Sequence, residues 1–394
     1  MAQKNKRKSI KKLTLINLIA LMLGLQLGLT AYIISTFLEK QVGEKAVGLL
    51  FLLGYLISLY ALIKLHTLIR GIGKSQTFFL FVAITWISLL GMGAFWFHPV
   101  AILFAVFFLV GGSILWAALD VLIETYSEDK TTGKTRGLFL TILNTGVIIA
   151  PLISTWLVQT YENGFQLVFY TASFFVFIPL IILAIFFSER KCHLEKRRKD
   201  FSIVKELLEK KDVARIYWVA FLLDLFYAVM VVYTPVYLLS IGLDWLEIGK
   251  IFAVMLIPFV VLQYPLGLIA DKKTGEKNWL IAALVVMSVS TISIGFIDVP
   301  HIGTWMLILL STRIGAATIE VMRDTYFYKK IGPKDIELMD FYRTTKSLSY
   351  IIGMPIFSLL LLFSPLNYVF IVLGTVIGVG VIPLFKLKDT EVSK

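Results

Sequence analysis

Twelve apolar stretches, each long enough to cross about 30 Å of hydrocarbon as a helix, dominate this chain. They fall near 14–37, 46–63, 77–97, 100–119, 138–158 and 165–187. After a charged interval they resume near 216–239, 249–270, 279–297, 302–319, 341–363 and 367–385. Backbone in lipid must satisfy its N–H and C=O groups internally, so each stretch predicts a helix. Of the 394 residues 58% are hydrophobic and 16% charged, against roughly 45–50% and 25% in an ordinary soluble domain. Such a chain cannot clothe a water-facing surface in polar groups. The expected fold class is an all-α polytopic membrane protein with twelve transmembrane helices. The basic stretch Met1–Lys12 precedes an apolar core too long for a signal peptide, with no small-x-small cleavage site after it, so the first helix is expected to be retained.

The formal charge of +12 raises nucleic acid as a partner until the charges are located. One alternate set of inter-span segments, with both ends of the chain, holds 34 of the 38 Lys and Arg residues. The other set holds Lys40, Lys45 and Lys250, and Arg313 lies inside a span. This is the positive-inside asymmetry. It predicts cytoplasmic termini in a cell (plasma or inner) membrane, assigns the basic charge to topology and excludes nucleic acid as a partner.

The charged interval divides the chain into an N-terminal six-helix bundle (1–187), a cytoplasmic linker (188–214) and a C-terminal six-helix bundle (215–394). In the linker Phe201, Val204, Leu207 and Leu208 recur at helical spacing between charges, predicting a short amphipathic surface helix. The halves repeat one another. Asp120-Val-Leu-Ile-Glu124-Thr-Tyr126 at the end of span four matches Glu320-Val-Met-Arg-Asp324-Thr-Tyr326 at the end of span ten. The following spans carry Gly146-Val-Ile-Ile-Ala150-Pro151 and Gly353-Met-Pro355. Two similarly oriented halves predict bundles related by a pseudo-two-fold axis, a sign of transporters built from repeats.

Soluble-enzyme chemistries find no support. Gly73-Lys74-Ser75 and Gly133-Lys134-Thr135 end like phosphate loops, but Leu68 and Glu128 stand where the earlier glycine belongs. The histidines His66, His98, His193 and His301 are scattered, none four residues from another, so no zinc helix is encoded; His98 and His301 occupy equivalent outer loops, where a structural role is expected. The lone cysteine, Cys192, excludes an intramolecular disulfide or a Cys-based metal cluster. No Gly-x-Ser-x-Gly elbow is present. The expectation is a non-enzyme without cofactor, catalytic residue or metal.

The most specific local signal is Gly267-Leu-Ile-Ala-Asp271-Lys272-Lys273-Thr-Gly275-Glu-Lys277, between spans eight and nine. It resembles, with one inserted residue, the G-x-x-x-D-[RK]-x-G-x-[RK] signature of the major facilitator superfamily. The twelve spans, central linker and repeat extend the resemblance to nearly the whole chain. The resemblance implies that this loop forms part of a cytoplasmic gate and that spans one, four, seven and ten line a central cavity. Its glycines would permit a tight turn and close helix approach. Asp271, Lys272 and Lys277 are expected to face Glu320 and Asp324, and Arg70 and Lys74 to face Asp120 and Glu124. The first-half loop departs from the pattern: His66 replaces the glycine, Arg70 replaces the acid, and the family's span-four arginine is missing from Leu109–Ser113. Gly146 to Pro151 partly resembles the family's exporter signature, with Ala150 for a glycine, which favours export.

Ionisable groups at membrane depth are costly and are functional candidates by default. Counting about 1.5 Å per residue puts Gln26, Asp224 and Arg313 near the middle of spans one, seven and ten, with Trp116 closer to the cytoplasm on span four. These four residues form the expected solute or coupling cavity, Asp224 being the protonatable group and Arg313 its expected partner. The leading expectation is a monomeric, proton-coupled secondary transporter of a small solute. A non-transporting receptor or scaffold, or a lipid flippase, would fit the same pattern.

Overall fold

The computed structural model describes residues 2–126, 132–187, 207, 209–271, 275–330, 341–342 and 344–389. All twelve expected spans are helical: Lys11–Val42, Glu44–Ile72, Lys74–Ala94, Val100–Ile123, Leu138–Thr160, Gly164–Phe186, Lys211–Ser240, Trp245–Gly267, Glu276–Ile294, Ile302–Phe327, Thr345–Phe363 and Asn367–Lys386. Among the described residues there is no strand. This is an integral, multi-pass membrane protein. Leu207 is helical and buried, whereas Phe201, Val204, Leu208 and Cys192 of the linker lie outside the described residues.

The stretch read as one continuous eighth span is a helix in three pieces, Trp245–Met255, Pro258–Val261 and Gln263–Asp271. Pro258 opens the second piece and Pro265 lies in the first turn of the third. A proline supplies no N–H and its ring crowds the preceding turn, so it is tolerated at a helix start and breaks a helix interior. Span one also breaks, at the turn Ala31–Tyr32.

The chain packs as two compact units, one of residues 1–43 and 53–195, the other of 44–52 and 196–394. In the first, span one packs on spans four, five and six, and span three on four and six. In the second, span seven packs on ten, eleven and twelve, and span nine on ten and twelve. The same pairings therefore recur with an offset of six spans. Residues Glu44–Leu52 of span two pack within the second unit, where Phe51 stacks on Tyr350 at 5.8 Å.

The turns repeat as well. Among the described residues four glycines have positive φ: Gly43 (80°) after span one and Gly242 (97°) after span seven, Gly73 (99°) after span two and Gly275 (61°) after span eight. Only glycine enters that region without a Cβ penalty. The first half thus keeps the turn glycine of the signature loop at Gly73, although its acid and first glycine have changed.

Helix contact in the first unit is closest between spans one and five. A Cβ on Gly24 would strike the Leu143 carbonyl, one on Gly28 would lie 2.6 Å from the Val147 carbonyl, and one on Gly146 2.7 Å from the Leu25 nitrogen. Gly24-x-x-x-Gly28 against Gly146-x-x-x-Ala150 is a small-residue seam that lets two backbones touch in lipid, where dispersion rather than the hydrophobic effect holds helices together. Close packing is one role of the small residues that resembled the exporter signature.

Candidate functional site

The functional side chains of the second unit gather on spans seven and ten. Along span ten Arg313, Glu320, Arg323 and Asp324 are spaced by seven, three and one, so they occupy one side of the helix. Along span seven Asp224 and Tyr227 are three apart and share a face. The two helices pack together, which brings these rows into one polar cluster inside an apolar bundle.

Arg323 is its organising cation. Its Nη1 lies 3.9 Å from Asp224 Oδ1 and its Nε 3.3 Å from Asp324 Oδ1, with side-chain exposures of 11% for Arg323 and 12% for Asp224. Arg323 Nη1 also donates to the Ala220 carbonyl, 3.3 Å away, and the guanidinium stands 5.7 Å over the Tyr342 ring. Thr345 Oγ1 donates to Asp224 Oδ2, and Tyr342 Oη donates to Asp324 Oδ1 at 3.1 Å. Gln263 of span eight donates to Glu320 Oε2 at 3.5 Å. Each acid of the cluster therefore has a named partner, which is what a carboxylate away from water requires.

The expected pair of Asp224 with Arg313 does not form; Arg323 takes the place of Arg313. Side chains lean toward the N-terminus of their own helix. Spans seven and ten run in opposite directions, because two crossings separate them, so Asp224 and Arg323 lean toward one another. Arg313, ten residues earlier on span ten, leans away. A ruler based on Cα depth misses this, because an arginine side chain and its lean span more than a helical turn. Arg313 is instead 1% exposed, with its guanidinium 4.9 Å from the Phe226 ring and 5.8 Å from the Tyr227 ring.

The other expected cavity residues lie in the first unit. Gln26 is buried, and its Nε2 donates to Thr30 Oγ1 on the same helix at 3.1 Å, so among the described residues it bonds along its helix and not across to another. Trp116 is half-buried on span four.

The expected gate contacts are only partly described. The side chains of Asp120, Glu124 and Asp271, and all of Lys272, lie outside the described residues. Arg70 is exposed and Lys74 half-buried at the turn around Gly73. Lys277 does not face Glu320 or Asp324: its Nζ donates to the Phe385 carbonyl at 2.8 Å and its backbone N–H to Asp389 Oδ1 at 2.9 Å. The physical reason is local. The first N–H groups of span nine have no partner within the helix and attract a carboxylate, and the segment after span twelve supplies Asp389. Tyr326 Oη holds the same segment by donating to the Lys388 carbonyl. Glu276, 1% exposed, pairs with Lys329 at 2.7 Å. Gly267 was expected to allow close helix approach, but a Cβ there would meet nothing within 4 Å; at Gly275 it would lie 2.6 Å from the Asp389 carboxylate.

His98 and His301 take the structural role expected of them. Val100 N–H donates to His98 Nδ1 at 3.2 Å and Thr304 N–H to His301 Nδ1 at 3.3 Å, so each caps the span that follows. Sequence reading overlooked Tyr227, Gln263, Tyr342 and Thr345, and Arg323 entered it only within the matched segment at the end of span ten. The signal was available: Arg313, Glu320 and Asp324 recur at seven and four, one stripe of a helix.

Comparison with known proteins adds the family. The profile described as Major Facilitator Superfamily matches residues 16–334. A comparison with curated protein sequences returns no match. Among solved structures, a POT family transporter in complex with a thioalcohol-conjugated peptide is 13% identical with a TM-score of 0.75, covering 94% of this chain and 95% of the other. A POT family transporter in complex with 5-aminolevulinic acid is 13% identical with a TM-score of 0.74 over the same shares. The inward-open xylose transporter XylE from E. coli is 10% identical with a TM-score of 0.73, covering 97% of each chain. At such identities the likeness speaks to the fold.

Proposed function

The chain belongs to the major facilitator superfamily, and we propose that it is a proton-coupled secondary transporter that moves a small solute by alternating access. The observation that carries this reading is the pair of Asp224 with Arg323. Their separation of 3.9 Å, in a site nearly closed to water, makes the charge on Asp224 depend on one cation and one hydroxyl. Protonating Asp224 removes the attraction to Arg323 and leaves Arg323 with Asp324. Thr345 Oγ1 can serve either state, since a hydroxyl donates to a carboxylate and accepts from a carboxylic acid. Spans seven, ten and eleven thus carry a contact that a proton can break and remake, which is the requirement for coupling.

The remaining parts follow the same reading. The helix ends and turns that hold Arg70, Lys74, Asp120, Glu124, Asp271 and Lys272 serve as the cytoplasmic gate, with both termini on that side. Gln26 and Trp116 serve the solute path from the first bundle. Outward transport is the direction that the likeness of Gly146 to Pro151 to the exporter signature favours. The protein acts as a monomer.

The test is transport by the purified protein in sealed vesicles, with an imposed pH difference and a pH-sensitive dye inside. Peptides, 5-aminolevulinic acid and xylose serve as first probes, being the solutes named for its structural neighbours. The expected result is proton movement coupled to one solute class. Asp224→Asn should retain solute exchange and lose accumulation driven by pH. Parental accumulation in that variant would remove Asp224 from the mechanism. Binding without flux would replace transport by reception, and reorientation of labelled lipid in the same vesicles would replace it by flipping.

A further inference from the structure

Arg313 is a cation buried at the middle of span ten with 1% exposure. Among the described residues no carboxylate stands within ion-pair distance of it, and its Nη1 has no hydrogen-bond partner. Two aromatic faces, Phe226 at 4.9 Å and Tyr227 at 5.8 Å, flank the guanidinium. Aromatic faces stabilise a cation but accept its N–H donors only weakly. Tyr227 Oη, on the same side of span seven as Asp224, and Arg323 Nε are the other buried donors of this region without a hydrogen-bond partner, and of the three Arg323 Nε has the Asp324 carboxylate 3.3 Å away. A buried donor left unsatisfied is destabilising, and more so when charged. Two of them beside one another need an explanation, and the neighbouring acids do not supply it. Asp224 is held by Arg323 and Thr345, Asp324 by Arg323 and Tyr342, and Glu320 is bonded to Gln263.

We propose that Arg313 and Tyr227 hold the carboxylate of the transported solute, an organic monoanion with an apolar or aromatic body. The planar guanidinium fork matches the two oxygens of a carboxylate, and a phenol adds one further donor. Geometry limits the solute to one negative charge. Arg323 is committed to two acids, Arg313 has none within ion-pair distance among the described residues, and a dianion would meet Asp224, Glu320 and Asp324 with no second counter-charge. The rings select the body: Phe226, Tyr227 and Phe259, the last 6.3 Å from Tyr227, present hydrocarbon beside the fork. This inference rests on the transport reading above and sharpens it.

The test uses the full chain in detergent and titrates benzoate, butyrate and 5-aminolevulinic acid, each against its uncharged amide, with chloride as the inorganic control, while thermal unfolding is followed. The expected result is that at least one carboxylate raises the midpoint of the parental protein while its amide and chloride do not. Arg313→Gln should weaken that binding by about tenfold or more, and Tyr227→Phe by a smaller factor, as expected for lost charge-assisted and neutral hydrogen bonds. Arg313→Met, measured without ligand, covers the case of a variant that fails to fold. If Arg313 awaits an anion, removing the unpaired charge should raise the unfolding midpoint. If its role is to clamp Phe226 and Tyr227, the midpoint should fall, and the proposal is overturned. Equal stabilisation by acid and amide, or by chloride, overturns it as well. Carboxylate binding without flux would instead sink the transport reading and leave this site standing.

Discussion

The guanidinium of Arg323 lies between the carboxylates of Asp224 and Asp324, at 3.9 and 3.3 Å, so one cation on span ten balances an acid on span seven and an acid on its own helix. Removing the cation and removing one acid are therefore unequal changes. Arg323→Gln leaves Asp224, Glu320 and Asp324 together without a counter-charge, and breaking a buried pair in this way costs about 3–5 kcal/mol. Asp224→Asn leaves Arg323 paired with Asp324. We expect the unfolding midpoint in detergent to fall much further for Arg323→Gln than for Asp224→Asn, with the double variant less damaged than the sum of the two. Equal losses would show that Arg323 is not the shared partner.

The seam between spans one and five should be intolerant of added volume. Gly24→Val and Gly146→Val place side-chain carbons into backbone of the facing helix, and no rotamer relieves a clash that begins at Cβ. Gly267→Ala meets open space and should be neutral. Size-exclusion profiles of fluorescent fusions would measure the contrast: loss of the monodisperse peak for the seam variants, a parental peak for Gly267→Ala.

Asp389 behaves as an N-cap delivered from another part of the chain. Its carboxylate accepts from Lys277 N–H, and removal of a capping side chain costs about 0.5–2 kcal/mol. For Asp389→Ala the expected outcome is faster amide exchange over residues 276–279, with the exchange of span three unchanged. Gly275→Ala should cost more, because it adds the strain of positive φ and a Cβ against that carboxylate. Unaltered exchange in Asp389→Ala would detach the C-terminal segment from the turn.

The orientation has a direct chemical test in the chain's single thiol. Cys192 belongs to the linker that the Lys and Arg distribution assigns to the cytoplasm. A membrane-impermeant maleimide should label it in inside-out vesicles and leave it unlabelled in intact cells. Labelling of intact cells would reverse the orientation and, with it, the side on which the Arg70 and Lys277 turns lie.

The sequence by itself determined the number and nature of the helices, because a backbone in lipid has no alternative to internal hydrogen bonding and about twenty apolar residues leave no choice of element. It also carried the repeat: the matched ends of spans four and ten, and the turn glycines Gly43, Gly73, Gly242 and Gly275, whose backbone only glycine adopts without strain. Even the polar stripe Arg313, Glu320, Asp324 was written in its spacing. The partners of those charges were not. Residue counting put Asp224 level with Arg313, and the antiparallel course of spans seven and ten, with each side chain leaning toward its own N-terminus, decided for Arg323. In the same way the acid that meets Lys277 is Asp389, from more than a hundred residues away, and not the nearer Glu320 or Asp324. Secondary structure in lipid is a local consequence of solvation. Which charge faces which is set by helix direction, side-chain reach and the packing of distant segments, and these exist only in the folded chain.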